Sequence, residues 1–205
     1  QMCIRDSLYT PDVVVEARNA HDVAAAFRAS AASGAPVVLR AGGTSLSGQA
    51  SGRGMLVDVR KHFRGVEVLD GGARVRVQPG STVRQVNAHL AAYGRKIGPD
   101  PASEGAATMG GVIANNSSGM ACGTKLNTYN TIESMTFVLP SGTVINTAHT
   151  DAEAQFGREE AELVAKLEQL KRRVRENRES VETIERHFAL KNTMGYSLNA
   201  FLDYD

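Results

Sequence analysis

The chain of 205 residues carries 23 Lys and Arg against 22 Asp and Glu, a formal net charge of +1, and 42% of its residues are hydrophobic. That charge balance gives no support for a nucleic-acid partner, and the absence of Trp argues against a stacking platform for single strands. Two cysteines exclude a disulfide framework, the five histidines show no metal-ligand spacing, and no apolar run approaches the ~20 residues of a membrane span.

The first half of the chain is predicted to alternate between strands and helices. Asn19 can cap a first helix whose apolar residues recur at every fourth position, and Gly34 can end it. Thr82 and Gln85 have the spacing of a capping box at the start of a second helix. The elements expected here are strands at 13–15, 37–39 and 55–59, helices at 19–33 and 82–92, and a hairpin with strands at 66–69 and 74–77.

The second half is predicted to begin with a hairpin and to continue as a long helix. The hairpin has strands at 132–139 and 143–146, joined by a Pro-Ser-Gly turn. From 159 to 188, apolar residues step by threes and fours along one face, and oppositely charged i,i+4 pairs cover the other faces. We interpret the charges as a solvated face and the apolar stripe as packing against the domain core. A coiled-coil dimer arm is the alternative, although Asn177 interrupts the stripe.

A Gly-rich loop follows the strand at 37–39. Its residues are Arg40-Ala41-Gly42-Gly43-Thr44-Ser45, followed after two positions by Gly48-Gln49. Glycine has no Cβ and tolerates positive φ, so such a backbone can bring its amides close to an anionic group such as a phosphate. The spacing matches neither of the common nucleotide-binding fingerprints, G-x-G-x-x-G and G-x-x-x-x-G-K-[ST]. On the chemistry of this loop alone, an ordinary Gly-rich turn stays the alternative.

A second stretch of small residues lies further downstream. It begins Gly98-Pro99-Asp100-Pro101-Ala102-Ser103 and continues Ala107-Thr108-Met109-Gly110-Gly111 through Asn115-Asn116-Ser117-Ser118-Gly119. The two prolines stiffen the backbone around Asp100, and the small residues behind it can enclose a flat, polar ligand with amide and hydroxyl donors. A surface loop is the alternative, but Met109, Val112 and Ile113 would be costly to expose in one.

Together, the two stretches resemble the FAD-binding domain of FAD-linked oxidases in the vanillyl-alcohol-oxidase-like superfamily. Within that superfamily, the likeness is to D-lactate, glycolate and D-2-hydroxyglutarate dehydrogenases. The segments at 119–123 and 191–199 resemble large members that are fused to an iron–sulfur module.

The resemblance implies an α+β fold, an FAD-binding domain of two small β-sheet subdomains with flanking helices. It covers residues 9–205, a domain expected to be truncated at its C-terminus with the substrate domain missing. Residues 1–8 match nothing in the family and are interpreted as a non-native or disordered leader. The cofactor-binding residues implied by the resemblance are Arg40, Ala41, Gly42, Gly43, Thr44, Ser45, Gly48, Gln49, Pro99, Asp100, Ser103, Thr108, Gly110, Gly111, Asn115, Ser118 and Gly119.

The position after Arg-x-Gly-Gly bears on how the flavin is held. Related covalent flavoenzymes have a flavin-linked His there, whereas this chain has Thr44, so we expect non-covalent FAD. Cys122 does not match the family's cysteine linkage and is interpreted as a small buried residue. No metal ligand is assigned, and the catalytic residues stay unknown because the general base of such enzymes belongs to the missing C-terminal region.

The reaction implied by the resemblance is oxidation of a small D-2-hydroxy acid to the 2-keto acid, with electrons leaving to a quinone, a cytochrome or an iron–sulfur module. Any iron–sulfur cluster is expected only in the missing C-terminal region. The protein is expected in the cytoplasm, either free or peripheral to the inner membrane. Two alternatives stay open: another flavoenzyme on the same domain, of the NADPH-dependent enolpyruvyl reductase type, and an inactive FAD-binding fragment.

Overall fold

A computed structural model of the protein describes residues 9–45, 47–192 and 195–204. The predicted leader at 1–8, and Thr193 and Met194 of the C-terminal motif, lie outside the described residues. The α+β class is confirmed. The described strands form three sheets, one of three strands and two of two strands.

The three-stranded sheet is parallel and positions the Gly-rich loop. Its strands are β1 (Val13–Glu16), β2 (Val37–Arg40) and β3 (Met55–Asp58), in the order β1-β3-β2, and helix α1 (Ala20–Ser33) connects β1 with β2. As predicted, the side chain of Asn19 caps α1, and Gly34 ends it at φ 70°. Because all three strands run the same way, Arg40 and Asp58 end their strands in register at one edge of the sheet.

Two hydrophobic clusters support the elements that carry the two candidate binding stretches. The cluster of the parallel sheet is formed by Ala17, Val23, Ala26 and Val57. The other lies against the antiparallel hairpin of β4 (Val66–Leu69) and β5 (Arg74–Val77), and it includes residues from α2 (Val83–Ala91) and α3 (Met109–Ala114). The predicted hairpin is confirmed at these bounds, and the capping box of Thr82 and Gln85 is present at the start of α2. The Gly-rich loop thus follows a strand of one cluster, and the second stretch contains a helix of the other.

The C-terminal part is mostly helical. After α4 (Thr128–Thr131) come a hairpin of β6 (Thr136–Val138) and β7 (Val144–Asn146) and the helices α5 (Ala152–Glu159), α6 (Ala161–Glu176), α7 (Arg178–Phe188) and α8 (Ala200–Asp203). None of the described helices combines the length and the apolar character that a membrane crossing requires.

Two sequence predictions in this part were wrong in detail. The strand expected from 132 begins at Thr136. The helix expected to run from 159 to 188 is interrupted at Asn177, whose backbone is extended and whose side chain accepts the N–H of Ser180 as the cap of α7. Helix α6 has no buried residue and α7 buries Ile184, so the apolar stripe is only partly used for packing.

Candidate cofactor site

The Gly-rich loop leaves the edge of the parallel sheet directly after Arg40. In open α/β sheets, ligands commonly bind beyond the carboxyl ends of the parallel strands, and this loop has that position. Gly43 and Gly48 have φ of 67° and 80°, a region that residues with a Cβ rarely adopt. Within the described part of the chain, the amides of Gly43, Thr44 and Ser45 donate to no protein acceptor. Three consecutive N–H groups are therefore available to an anion.

The side chain of Arg40 lies against this loop. A Cβ on Gly43 would come within 2.7 Å of the Arg40 guanidinium. Nη1 of Arg40 donates to the carbonyl oxygen of Ala50 at 2.8 Å, whereas Nε is buried and has no hydrogen-bond partner among the described residues. A buried donor without an acceptor is costly, and an anion in the loop would supply one.

Asp58 balances part of this positive charge from the neighbouring strand β3. Burial raises the pKa of the Asp58 carboxyl group. The hydrogen bonds from Arg60 and the positive charge of Arg40 lower it. Arg60 Nε donates to Asp58 Oδ2 at 3.0 Å. The net result is a pKa below the usual range, so Asp58 is ionised at neutral pH.

The far end of the Gly-rich loop closes on itself. The hydroxyl of Ser45 donates to Oε1 of Gln49, and the carbonyl oxygen of Gly48 accepts the N–H of Ser51 at 3.3 Å. Among the described residues, no hydrogen bond joins positions 47–49 to the second stretch. Gly48 and Gln49 therefore shape the loop in this structure, and they form no hydrogen bond with the described residues at 99–119.

The near end of the loop, in contrast, meets the second stretch at Gly42. The N–H of Gly42 donates to Oγ1 of Thr108 at 2.8 Å, across 66 positions of sequence. A Cβ at position 42 would overlap the carbonyl oxygen of Ala106. The two motifs are thus in direct contact, and only glycine fits at the point where they touch.

Asp100 and Gly119 join the two ends of the second stretch. The N–H of Asp100 donates to the carbonyl oxygen of Ser118 at 2.7 Å, and Asp100 Oδ2 accepts the N–H of Ala121 at 2.9 Å. Pro99, just before, is buried. Ser118 is 2% exposed, and Asp100 Oδ1 has no hydrogen-bond partner within the described chain.

The remaining predicted residues lie along the same stretch. The carbonyl oxygen of Ser103 accepts the N–H groups of Ala106 and Ala107, which closes a turn before α3. Gly110 packs against Pro79, whereas a Cβ on Gly111 would meet no atom within 4 Å. Asn115 follows the last residue of α3 and is half-buried.

One residue of this region was missing from the predicted set. Asn116 is 4% exposed and has φ 46°, and its Oδ1 accepts the N–H of Tyr129 at 2.9 Å. It also lines a polar cavity of about 520 Å³ together with Tyr129 and Asp203. The sequence offered one indication of this position, the residue type, because Asn adopts the left-handed conformation more readily than most residues.

Cys122 is buried, at 5% exposure. Burial raises the pKa of its thiol, and the negative charge of Asp100 raises it further. The side chain is therefore a protonated thiol at neutral pH, which agrees with its interpretation as a small buried residue.

Comparison with known proteins identifies the family of domains to which this chain belongs. Residues 11–148 match the model of a family described as FAD binding domain. The chain belongs to this FAD-binding domain family. All of the cofactor-binding residues predicted from the two stretches fall within the matched range.

Two relatives of this FAD-binding domain are named for hydroxy-acid oxidation. D-2-hydroxyglutarate dehydrogenase of Escherichia coli (strain K12) is 31% identical over 152 residues, which are 71% of this chain and 15% of that protein. D-lactate dehydrogenase of Archaeoglobus fulgidus is 33% identical over 137 residues, which are 65% of this chain and 30% of that protein. The chain thus spans less than a third of the length of either relative.

A solved structure shows the same fold. Glucooligosaccharide oxidase from Acremonium strictum superposes with a TM-score of 0.61 at 22% identity, over 70% of this chain and 30% of that one, and carries a 6-S-cysteinyl, 8α-N1-histidyl FAD. The donors in this FAD-binding domain fit the pyrophosphate of FAD, because three amides and Nε of Arg40, all without an acceptor among the described residues, offer hydrogens, and phosphate oxygens only accept them.

Proposed function

We propose that this chain is the FAD-binding part of a flavin-dependent dehydrogenase that oxidises a D-2-hydroxy acid, of the D-lactate or D-2-hydroxyglutarate type, to the 2-keto acid. The observation that carries the proposal is the contact of the two motifs at Gly42 and Thr108, beside amides that have no acceptor among the described residues. The names of the two hydroxy-acid relatives support the substrate class.

In this proposal, the first stretch holds the phosphates. The amides of Gly43 to Ser45 donate to the pyrophosphate, and Arg40 supplies the compensating charge through its unpaired Nε. The residues from Pro99 to Ser103 and from Thr108 to Ser118 line the adenosine and the part nearer the flavin ring. Bound between these residues, FAD would supply the hydride acceptor for oxidation of the substrate at its α-carbon.

The flavin is held without a covalent bond at the loop. Thr44 occupies the position where related covalent enzymes have their flavin-linked His, and a hydroxyl offers no imidazole nitrogen. Electrons leave to an acceptor other than oxygen, namely a quinone, a cytochrome or an iron–sulfur module. A cytoplasmic location, free or peripheral to the inner membrane, is compatible with that assignment.

Cofactor binding is tested by titrating the protein with FAD and following the flavin fluorescence. We expect a stoichiometric complex from which acid precipitation releases the yellow cofactor into the supernatant. Flavin that stays in the pellet would contradict the non-covalent assignment, and a chain that binds no FAD would contradict the proposal itself.

The substrate class is tested in the complete protein that contains this chain, by reduction of an artificial electron-accepting dye. We expect D-lactate or D-2-hydroxyglutarate to reduce the dye and NADPH to leave it oxidised. Reduction by NADPH alone would favour the enolpyruvyl reductase type, and an FAD complex inert to all three would favour the inactive fragment.

A further inference from the structure

Thr108 lies at the contact between the two stretches and is 4% exposed. It directly precedes helix α3, where a Thr hydroxyl ordinarily caps the helix, but its side chain makes no capping hydrogen bond. Instead, Oγ1 accepts the N–H of Gly42 at 2.8 Å. The hydroxyl of Thr108 therefore binds the Gly-rich loop and does not cap α3.

The backbone that carries this hydroxyl is fixed independently of the Gly-rich loop. Thr108 forms an antiparallel bridge with Thr82, and its carbonyl oxygen accepts the N–H of Val112 at 2.9 Å. The next N–H, that of Met109, donates to the carbonyl oxygen of Ser81 at 2.9 Å. Thr108 is thus anchored in the cluster of the β4–β5 side, whereas the loop follows a strand of the parallel sheet.

We propose that Thr108 is a positioning residue for FAD. Its hydroxyl fixes the amide of Gly42 and thereby orients the amides of Gly43 to Ser45 toward the phosphates. Two consecutive glycines would otherwise leave this segment with unusual conformational freedom, and ordering it would weaken binding. This role of Thr108 is exerted through Gly42 and is additional to its place in the stretch that lines the cofactor in the proposed function. The inference rests on the proposed function, since it concerns how the loop receives FAD.

The test compares two variants of Thr108 in the FAD titration. Thr108→Val keeps the shape of the side chain but removes the acceptor, and we expect the dissociation constant for FAD to rise about tenfold. Thr108→Ser keeps the oxygen and is expected to bind within about twofold of the wild type. Wild-type affinity in Thr108→Val, or equal weakening in both variants, would overturn the inference.

Thr147→Val is the control, because the exposed Thr147 Oγ1 accepts the N–H of Met135 at 2.8 Å and donates to the Met135 carbonyl oxygen at 3.2 Å, at the open end of the β6–β7 hairpin and outside both stretches. This variant loses the same N–H···Oγ1 bond together with the second one, and it is expected to lose stability while keeping its affinity for FAD. A parallel loss of affinity in Thr147→Val would mean that the effect at Thr108 is one of general stability, which also overturns the inference.

Amide hydrogen exchange in the wild-type protein decides the question even if Thr108→Val does not fold. We expect the amide of Gly42 to be protected without FAD, and those of Gly43, Thr44 and Ser45 to gain protection only when FAD is added. A freely exchanging Gly42 amide in the FAD-free protein would overturn the inference about Thr108 and leave the proposed function standing. A wild type that binds no FAD would instead contradict the proposed function, so the two failures are distinguishable.

Discussion

At the scale of single residues, the contact between Asp100 and Gly119 constrains the site most tightly. Gly119 has φ 133°, and a Cβ there would overlap both the carboxylate and the carbonyl oxygen of Asp100. The carboxylate itself is engaged, because it accepts the N–H of Ala121. The turn after Ser118 therefore depends on the absence of one side chain.

We expect Gly119→Ala to lower the free energy of unfolding by about 2–4 kcal/mol, since strained φ and steric overlap act together. The matched control is Gly123→Ala: Gly123 has φ 58°, but a Cβ there would meet no atom within 4 Å, so only the backbone strain of about 1–2 kcal/mol applies. Urea denaturation measures both values. Equal losses in the two variants would show that the overlap with Asp100 contributes nothing.

At the scale of elements, helix α3 is the part of the site whose form is least obvious. It contains the pair Gly110-Gly111, and glycine is among the poorest helix formers. Its first turn is held by tertiary hydrogen bonds, because the N–H of Met109 donates to Ser81 and that of Gly110 to Pro79. The two glycines differ in surroundings, since Gly110 packs against Pro79 and Gly111 faces open space.

Gly111→Ala is expected to change stability and FAD affinity in opposite directions. A methyl group in the helix raises the free energy of unfolding by about 0.5–1 kcal/mol, because alanine loses less conformational entropy than glycine on folding. If FAD approaches the backbone here, the same methyl group weakens its binding. Gly110→Ala should instead destabilise, since its Cβ would lie 2.8 Å from Pro79. Denaturation and the FAD titration measure the two effects, and unchanged FAD affinity in Gly111→Ala would remove Gly111 from the site.

Elements with local signals were predictable from the sequence. The cap at Asn19, the capping box at Thr82 and the turn Asp70-Gly71-Gly72 between β4 and β5 each act within a few residues. Accordingly, α1, α2 and the β4–β5 hairpin lie close to their predicted bounds. Helix α3 was not predicted, because its glycines disfavour a helix and the bonds that hold it come from Pro79 and Ser81. The continuous helix at 159–188 was wrong because apolar residues recur at helical spacing on both sides of Asn177, whereas the backbone of Asn177 is extended and its side chain caps a new helix.

The two motifs of the candidate site could be predicted from the sequence, but the contact between them could not. Glycines and small polar residues indicate where a backbone is accessible, and that is local information. The bond between Gly42 and Thr108 joins residues 66 positions apart and belongs to the tertiary fold. The unpaired Nε of Arg40 likewise depends on how β2 and the loop are placed.

At the scale of the whole molecule, the C-terminal helix α8 is fastened to two distant elements. Tyr129 in α4 donates its hydroxyl hydrogen to Asp203 Oδ2 at 2.8 Å, and its ring lies 6.3 Å from that of Tyr204. Arg175 in α6 donates to the carbonyl oxygens of Phe201 and Tyr204, both at 2.7 Å. Since the N–H of Tyr129 in α4 also donates to Asn116 of the second stretch, these bonds connect the chain beyond the family match to the candidate site.

The bond between Tyr129 and Asp203 makes stability depend on pH in the alkaline range. Burial raises the pKa of Tyr129, and the carboxylate of Asp203 raises it further, so the folded protein holds this proton more tightly than the unfolded chain does. The contribution to stability is therefore fully present below the unfolded tyrosine pKa of about 10 and is lost as pH rises toward the higher folded value.

Tyr129→Phe is accordingly expected to cost about 1 kcal/mol at pH 7, and the difference from the wild type should shrink above about pH 10, because ionisation of the unfolded tyrosine then removes the wild type's advantage. Tyr93→Phe serves as the control, since Tyr93 is 49% exposed and its hydroxyl makes no hydrogen bond within the described chain. Urea denaturation at pH 7 and in steps up to pH 11 measures the difference. A gap that stays constant or widens across this range would mean that the hydrogen bond of the Tyr129 hydroxyl does not stabilise the attachment of α8 to α4.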